Sequence, residues 1–267
     1  MPELAFRGLR VAYRSWGEGP PVFFLHAGGS HGGQWTKVVE ALGPGWSAIA
    51  PDVLGFGGTD AWPVAGGLSH DLQAELVAHI IDRTAGQAVD VVGHSYGGSI
   101  AVRLAVNCPR KVRSLVLIEP ILNCLLAETG DPLFEESERI NRFLADCIER
   151  GQPERGWQAF IDERNGPGTW QRLSDKRREE FVKQSAAARE AVLSSLNNRT
   201  TLAELGAIAT PMMVVCGAET TAPERRVSEV LRDATAARYR LLPGAGHMSP
   251  LSHPGEVAEI VREHLAR

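Results

Sequence analysis

The chain sets a serine among glycines, in Gly93-His94-Ser95-Tyr96-Gly97-Gly98, directly behind the apolar run Ala88-Val89-Asp90-Val91-Val92. The run has the length of a short buried strand, and Ser99 to Asn107 behind it has a helical composition. A strand that turns this tightly into a helix lifts the serine above the sheet edge, where its hydroxyl meets substrate. The glycines answer a steric need, because a Cβ at those places would collide with neighbouring backbone. A serine hydroxyl is a poor nucleophile alone. It needs a base, an acid to orient that base, and donors for the oxyanion that forms on attack.

Each partner can be sought by position. His247 lies in Pro243-Gly244-Ala245-Gly246-His247-Met248-Ser249-Pro250, a loop after the last strand-like run, where an imidazole comes to the strand ends. The other histidines suit plainer roles. His79 and His264 fall on helix faces, His70 near a helix start, His253 around a helix cap, and His31 in the loop after Val22–Leu25. His94 is expected to point back into the turns that support the elbow. One oxyanion donor is the amide of the residue after the nucleophile, Tyr96. The second comes from the loop Leu25-His26-Ala27-Gly28-Gly29, with Gly28 as the choice.

Six apolar runs must position these loops: 22–25, 46–50, 89–92, 115–118, 212–216 and 239–242. Continuous apolar runs of that length suit strands buried on both faces of a mostly parallel sheet. Helical spacing occurs between them, as in Leu72, Leu76, Ile80 and Ile81. Alternating strand and helix imply a doubly wound α/β sheet. Residues 122–201 break the alternation with charged amphipathic segments, 134–149, 158–165 and 171–193, divided by Asn165-Gly166-Pro167-Gly168. This division gives a core of 1–121 and 202–267 and a helical cap of 122–201 over the strand ends, where open α/β sheets bind ligands.

With 267 residues, 43% hydrophobic and 22% charged, the chain is an ordinary globular α/β domain with room for an insertion. A net charge of −4 gives no field for nucleic acid. Lys176-Arg177-Arg178 runs straight into Glu179-Glu180, the pattern of a solvated helix face. Cys108, Cys124, Cys147 and Cys216 have no C-x-x-C or zinc-type spacing and suit reduced thiols. No apolar run is long enough to span a bilayer. The expectation is a cytoplasmic protein acting on a small molecule, as a monomer or a dimer, without membrane or nucleic-acid partners.

Leu25-His26-Ala27-Gly28-Gly29, Pro51-Asp52-Val53-Leu54-Gly55-Phe56-Gly57, the serine elbow and Gly246-His247 follow one another in an order that resembles the α/β-hydrolase superfamily with a helical cap. The resemblance covers the chain apart from the cap. It implies an eight-stranded, mostly parallel sheet and the chain order nucleophile, acid, histidine. The acid usually stands three residues past a glycine after the penultimate strand, but Gly217-Ala218-Glu219-Thr220 puts a threonine there. Glu219 is one residue early. In a branch that resembles haloalkane dehalogenases the acid ends the strand before the cap, and here that residue is Glu119, held by Pro120. A carboxylate closing a buried strand requires a partner, and a histidine N–H is a natural one. Glu119 is therefore preferred and Glu219 is second.

The expected site is Ser95, His247 and Glu119, with Gly28 and Tyr96 at the oxyanion. Around it stand His26, Gly29, Trp157 and Phe134 as substrate contacts, His26 also bracing its loop. Trp35, Phe160 and Trp170 serve either the pocket or the cap core. The implied reaction is hydrolysis of an ester or related acyl bond through an acyl-enzyme, without metal or cofactor. Alternatives on the same residues are carbon–carbon bond hydrolysis of a dienoic ketoacid, with an arginine from the cap, and a cofactor-free perhydrolase. A further alternative is a small-molecule receptor. The expected pH–rate profile rises near the ordinary histidine pKa of about 6.5, moved upward by an ionised Glu119.

Overall fold

The computed structural model describes residues 2–266. Its strands are β1 (Glu3–Phe6), β2 (Leu9–Trp16), β3 (Pro21–Leu25), β4 (Ser47–Pro51), β5 (Val89–His94), β6 (Val112–Ile118), β7 (Met212–Gly217) and β8 (Arg238–Leu242). They form one sheet in the order β1-β2-β4-β3-β5-β6-β7-β8. Strands β3 to β8 pair in parallel, while β1–β2 and β2–β4 are antiparallel.

The six apolar runs correspond to β3–β8, and their continuity has a direct cause. Phe23, Leu25, Val91, Leu115, Leu117 and Val214 enter the core on one face of the sheet. Their neighbours Val22, Phe24, Val92, Val116 and Val215 enter the core on the other. Successive side chains point to opposite faces, so a sheet covered on both sides needs apolar residues throughout. β1, the edge strand, and β2 beside it are not among the runs because their burial is mixed. The two-residue turn Arg7-Gly8, both with positive φ, joins them as a tight hairpin.

The helices before the insertion are α1 (Thr36–Leu42), α2 (His70–Thr84) and α3 (Tyr96–Asn107). Between β6 and β7 come α4 (Cys124–Glu128), α5 (Leu133–Glu149), α6 (Pro153–Asn165), α7 (Thr169–Arg172), α8 (Asp175–Lys183) and α9 (Ser185–Leu196). The remainder are α10 (Leu202–Gly206), α11 (Ala222–Ala234), α12 (Ser249–Ser252) and α13 (Pro254–Leu265). Helices α2, α3 and α11 cover one face of the sheet, and α1 and α13 the other. The helical stretch expected over 171–193 is divided in three, and Ser174 caps α8 by accepting the Arg177 N–H at 3.3 Å.

The inserted helices hold a small core of their own, Leu144, Ala145, Trp157, Trp170, Phe181, Ala188 and Val192. Leu122, Leu125 and Leu126 belong to the main core, so the insertion begins as a continuation of it. The chain re-enters through α10, whose start is fixed by a capping box between Thr201 and Glu204. Glu204 also accepts a bond from Arg103 of α3 at 2.9 Å, which ties the return of the chain to the helix behind Ser95.

The sheet order reverses at β3, which has β4 on one side and β5 on the other. The loops leaving β3 and β5 therefore diverge and open a crevice at their carboxyl ends. Ser95 and the glycine loop 26–29 both lie there.

Candidate active site

Ser95 sits at the end of β5 with φ +55° and ψ −118°, a conformation unusual for a residue with a side chain. Such strain costs on the order of 1–3 kcal/mol and persists only where the surroundings enforce it. Here the Ser95 N–H donates to Ile118 O at 2.9 Å, and its carbonyl accepts from Gly98 N at 3.0 Å and Ser99 N at 3.2 Å. The glycines permit the approach of β3 to the elbow. A Cβ on Gly97 would lie 2.3 Å from Leu25 O.

That approach brings the loop after β3 beside the elbow. Ala27–Ser30 is a tight turn closed by Ser30 N–H to Ala27 O at 3.2 Å, with Gly29 at φ +72°. Gly28 is exposed while Ala27 and Gly29 are buried. A Cβ on Gly28 would stand 3.8 Å from Tyr96 Cβ. Tyr96 opens α3, so its N–H has no acceptor within the helix. Among the described residues neither the Gly28 nor the Tyr96 N–H makes an internal hydrogen bond.

His247 is buried beside Ser95, with Nε2 3.0 Å from Ser95 Oγ and Nδ1 2.7 Å from Glu119 Oε2. Glu119 is fully buried and has φ +42°. Its Oε1 accepts the Gly217 N–H at 2.7 Å, and its Oε2 accepts the Thr220 hydroxyl at 2.7 Å. Burial pushes the Glu119 pKa up. The bonds from His247, Thr220 and Gly217 outweigh it and hold the carboxyl below the usual range. An ionised Glu119 only accepts, so Nδ1 of His247 carries the proton and Nε2 offers its lone pair to Ser95.

Glu219 is exposed, and among the described residues its carboxylate makes no bond to His247. Its backbone N–H instead stitches the loop to Ala245 O at 2.8 Å. Thr220 occupies the place of the expected acid and donates to Glu119.

The pH expectation needs correction. The His247 pKa lies below 6.5, because burial outweighs the raising effect of Glu119 and Arg164 adds to the lowering. Depth, which the amino-acid order does not display, decides the sign.

A cavity of about 80 Å³ lies above Ser95 and His247. Ligand pockets commonly measure about 300–1,000 Å³, so the cap sits close over the site. Leu144, Trp157, Phe160, Ile161, Phe181 and Val192 form its apolar wall, with Gly28 and Gly29 at its base. A Cβ on Gly29 would meet Trp157 Cη2 at 2.9 Å, so the cap rests directly on the glycine loop. Gly29 and Trp157 thus line the cavity, as expected. Two other expected contacts do not. Phe134, at the start of α5, packs against the main core instead. His26 is fully buried; its Nδ1 donates to Ala27 O at 2.8 Å and its Nε2 accepts the Val53 N–H at 3.1 Å. It braces the loop and has no ring nitrogen left for substrate.

Four further residues support the site: His94 is expected in the turns that support the elbow, an arginine is expected from the cap, Asp52 stands in the motif over 51–57, and only Gln34 has no signal in the sequence. Gln34 and His94 link the site loops through long-range bonds. Arg164 of α6 lines the cavity, stacks on Phe160 at 4.6 Å, and pairs with Glu224 of α11. Asp52 supports the loop from below, accepting from Gly32 N at 2.7 Å and Gly58 N at 2.8 Å. Among the described residues no group of three His, Cys, Asp or Glu side chains is placed to hold a metal ion.

A profile of the alpha/beta hydrolase family matches residues 22–260. The chain belongs to the alpha/beta hydrolase family. It is 27% identical to a 2-hydroxymuconate semialdehyde hydrolase of Pseudomonas sp. (strain CF600), over 99% of this chain and 93% of that protein. It is 28% identical to the lipase LipV of Mycobacterium tuberculosis, over 91% and 92%. A thermophilic esterase from Thermogutta terrifontis superposes with a TM-score of 0.81 at 20% identity, covering 100% of this chain and 98% of that one, a likeness of fold. No helix among the described residues is long and apolar enough to cross a membrane.

Burial holds the pKa of His26 and His70 at about 4, that of His94 at about 3, and that of His247 below 6.5. The unfolded chain binds more protons than the folded one below pH 6.5, so stability falls as pH drops through that window. Each such histidine contributes about 1.4 kcal/mol per pH unit until its folded pKa is reached. Denaturant midpoints measured from pH 7 to pH 4.5 are expected to fall steadily. A flat midpoint over that range contradicts neutral burial of these rings.

Proposed function

We propose that this hydrolase cleaves carboxylic esters that carry a small, largely apolar acyl group. One observation carries the reading. A continuous line from Ser95 Oγ through His247 to Glu119, at 3.0 and 2.7 Å, ends beneath an apolar cavity beside two free amide N–H groups. In this reading Ser95 attacks the ester carbonyl while His247 Nε2 takes the hydroxyl proton. The N–H groups of Gly28 and Tyr96 hold the oxyanion. The imidazolium returns the proton to the departing alcohol and leaves an acyl-enzyme. His247 then takes a proton from water, which releases the acid and frees Ser95. Glu119 keeps the Nδ1–H tautomer and offsets the imidazolium charge. Similarity to a lipase over nearly the whole chain supports ester chemistry. Four unpaired cysteines suit a reducing compartment such as the cytoplasm.

A second reading, hydrolysis of a carbon–carbon bond in a dienoic ketoacid, has specific support. Arg164 and Arg177 of the cap line the cavity, and the chain is similar to a 2-hydroxymuconate semialdehyde hydrolase. Arg164 is already paired with Glu224, with Glu163 and Glu119 as further nearby negative charges, and a substrate carboxylate entering there meets all three. The ester reading is therefore preferred.

Turnover of p-nitrophenyl acetate, butyrate and octanoate by wild type and Ser95→Ala tests the choice. Short acyl groups are expected to be preferred, and Ser95→Ala is expected to lose on the order of 10⁴-fold or more in kcat. Equal turnover by the two proteins rules out Ser95 as nucleophile. Inactivity on all three esters combined with cleavage of a dienoic ketoacid favours the second reading. The acid limb of the kcat/KM profile is expected below pH 6.5, since a buried His247 resists protonation. A limb above pH 7 contradicts the balance of burial over Glu119.

A further inference from the structure

Three loops meet at Ser95, and one line of buried hydrogen bonds runs through all of them. The Ala27 N–H donates to Gln34 Oε1 at 3.2 Å. Gln34 Nε2 is 3.0 Å from His94 Nδ1, and His94 Nε2 is 2.8 Å from the carbonyl oxygen of His247. Gln34 is 5% exposed and His94 is 0% exposed.

The chemistry of the two ends fixes every proton between them. An amide N–H at Ala27 can only donate, so Gln34 turns its oxygen toward it. The Gln34 NH₂ group then faces His94 and donates to Nδ1. The proton of a neutral His94 must sit on Nε2, from which it is donated to the His247 carbonyl, a group that can only accept. Burial keeps this ring neutral, with a pKa of about 3.

Each member belongs to a different part of the site. Ala27 precedes Gly28, whose amide is the proposed oxyanion donor. Gln34 lies in a helical turn, Gly32–Trp35, capped by the side chain of His31. His94 precedes Ser95. His247 is the proposed base, and its backbone is what the line grips. The other hydrogen bonds of His247 engage its ring, at Glu119 and Ser95.

We propose that Gln34 and His94 form a positioning relay that sets the oxyanion amide of Gly28 and the base His247 at a fixed mutual distance about Ser95. This rests on the ester-hydrolase reading above. Both residues act through others: neither reaches the reacting atoms, and their effect is on geometry. Displacement of a reacting group by about 1 Å can cost on the order of 100-fold in rate. Loss of the relay therefore lowers kcat, because the oxyanion and the proton transfer are misaligned together, and leaves KM nearly unchanged, because the apolar wall of the cavity is untouched.

The test uses the full chain with Gln34→Leu, His94→Phe, the double variant and Gln34→Glu, each checked for folding by thermal melting. With p-nitrophenyl butyrate, each single loss variant is expected to drop 10- to 100-fold in kcat with KM within about threefold. The double variant is expected within about threefold of the worse single one, because both break one line. Gln34→Glu is near in shape and keeps the acceptor for Ala27, but at neutral pH it offers His94 Nδ1 no proton. The groups around His94 that bear on its protonation are His247, Glu119 and Arg164. A proton gained by His94 or by the new carboxyl restores the line, so kcat of Gln34→Glu relative to wild type is expected to rise as pH falls. Nitrogen shifts of ¹⁵N-histidine-labelled protein report the same geometry without turnover. Wild type is expected to show His94 as the Nε2–H tautomer from pH 5 to 8, and Gln34→Leu to shift the His247 resonances.

Multiplicative losses in the double variant overturn the relay, as does unchanged kcat in a folded Gln34→Leu or a His94 found as the Nδ1–H tautomer. Failure of the ester reading looks different. Wild type and Ser95→Ala then turn over alike, and the nitrogen shifts still decide whether the relay exists.

Discussion

A carboxylate closed off from water at the end of a central strand must find donors in its surroundings, and Glu119 finds three. The Gly217 N–H comes from the end of β7, the Thr220 hydroxyl from the loop behind it, and His247 Nδ1–H from the loop after β8. A hydrogen bond from a neutral donor to such a charged group is typically worth about 1.5–3 kcal/mol. The carboxylate therefore ties two loops to the end of β6 and orients the His247 ring through Nδ1. Its backbone at φ +42° is held by Glu119 N–H to Val215 O at 3.1 Å, so the sheet itself enforces the strain. Ser95 at φ +55° repeats the arrangement one strand away. Ser95 stands beside the reversal in strand order, where the loops leaving β3 and β5 separate and make room, and Glu119 stands one strand further on.

The same low-dielectric setting governs the histidines. His26, His70 and His94 are each buried with both ring nitrogens occupied, and burial keeps them neutral. Neutral rings accept at one nitrogen and donate at the other, so each fixes the direction of a hydrogen-bond line. His70 of α2 meets Ser99 beneath the elbow at 3.1 Å and Ser194 of the cap at 2.9 Å. The cap is thus tied to the core from below by His70, at its side by Arg164 and Glu224, and over the cavity by Trp157 on Gly29.

Much of this was legible in the amino-acid order for a physical reason. Strands covered on both faces must be apolar throughout, so β3 to β8 stood out as runs, and the loops that leave them could be named. Ser95, Gly28 and His247 could be singled out because each lies in the loop that leaves such a run. Glu119 was visible as a charge at the end of one. The edge strand β1 and its neighbour β2, both with mixed burial, left only the weak hairpin signal Arg7-Gly8. Helical amphipathicity marks which residues are covered but not what covers them, and so it did not separate Trp157, which lines the cavity, from Phe134, which packs on the main core. Gln34 and His94 are sixty positions apart, and nothing local couples them. The sign of the His247 shift depends on depth from solvent, a property of the assembled fold.

In the proposed mechanism a glutamate at the end of β6, rather than one in the loop after β7, orients His247. The most direct test is kcat/KM on one p-nitrophenyl ester for Glu119→Gln and Glu219→Gln, measured side by side in folded protein. Glutamine at 119 keeps shape but no longer fixes the Nδ1–H tautomer, so a loss on the order of 10⁴-fold is predicted, against a change within about twofold for Glu219→Gln. Retained activity in Glu119→Gln, or a loss of that size in Glu219→Gln, would contradict the account.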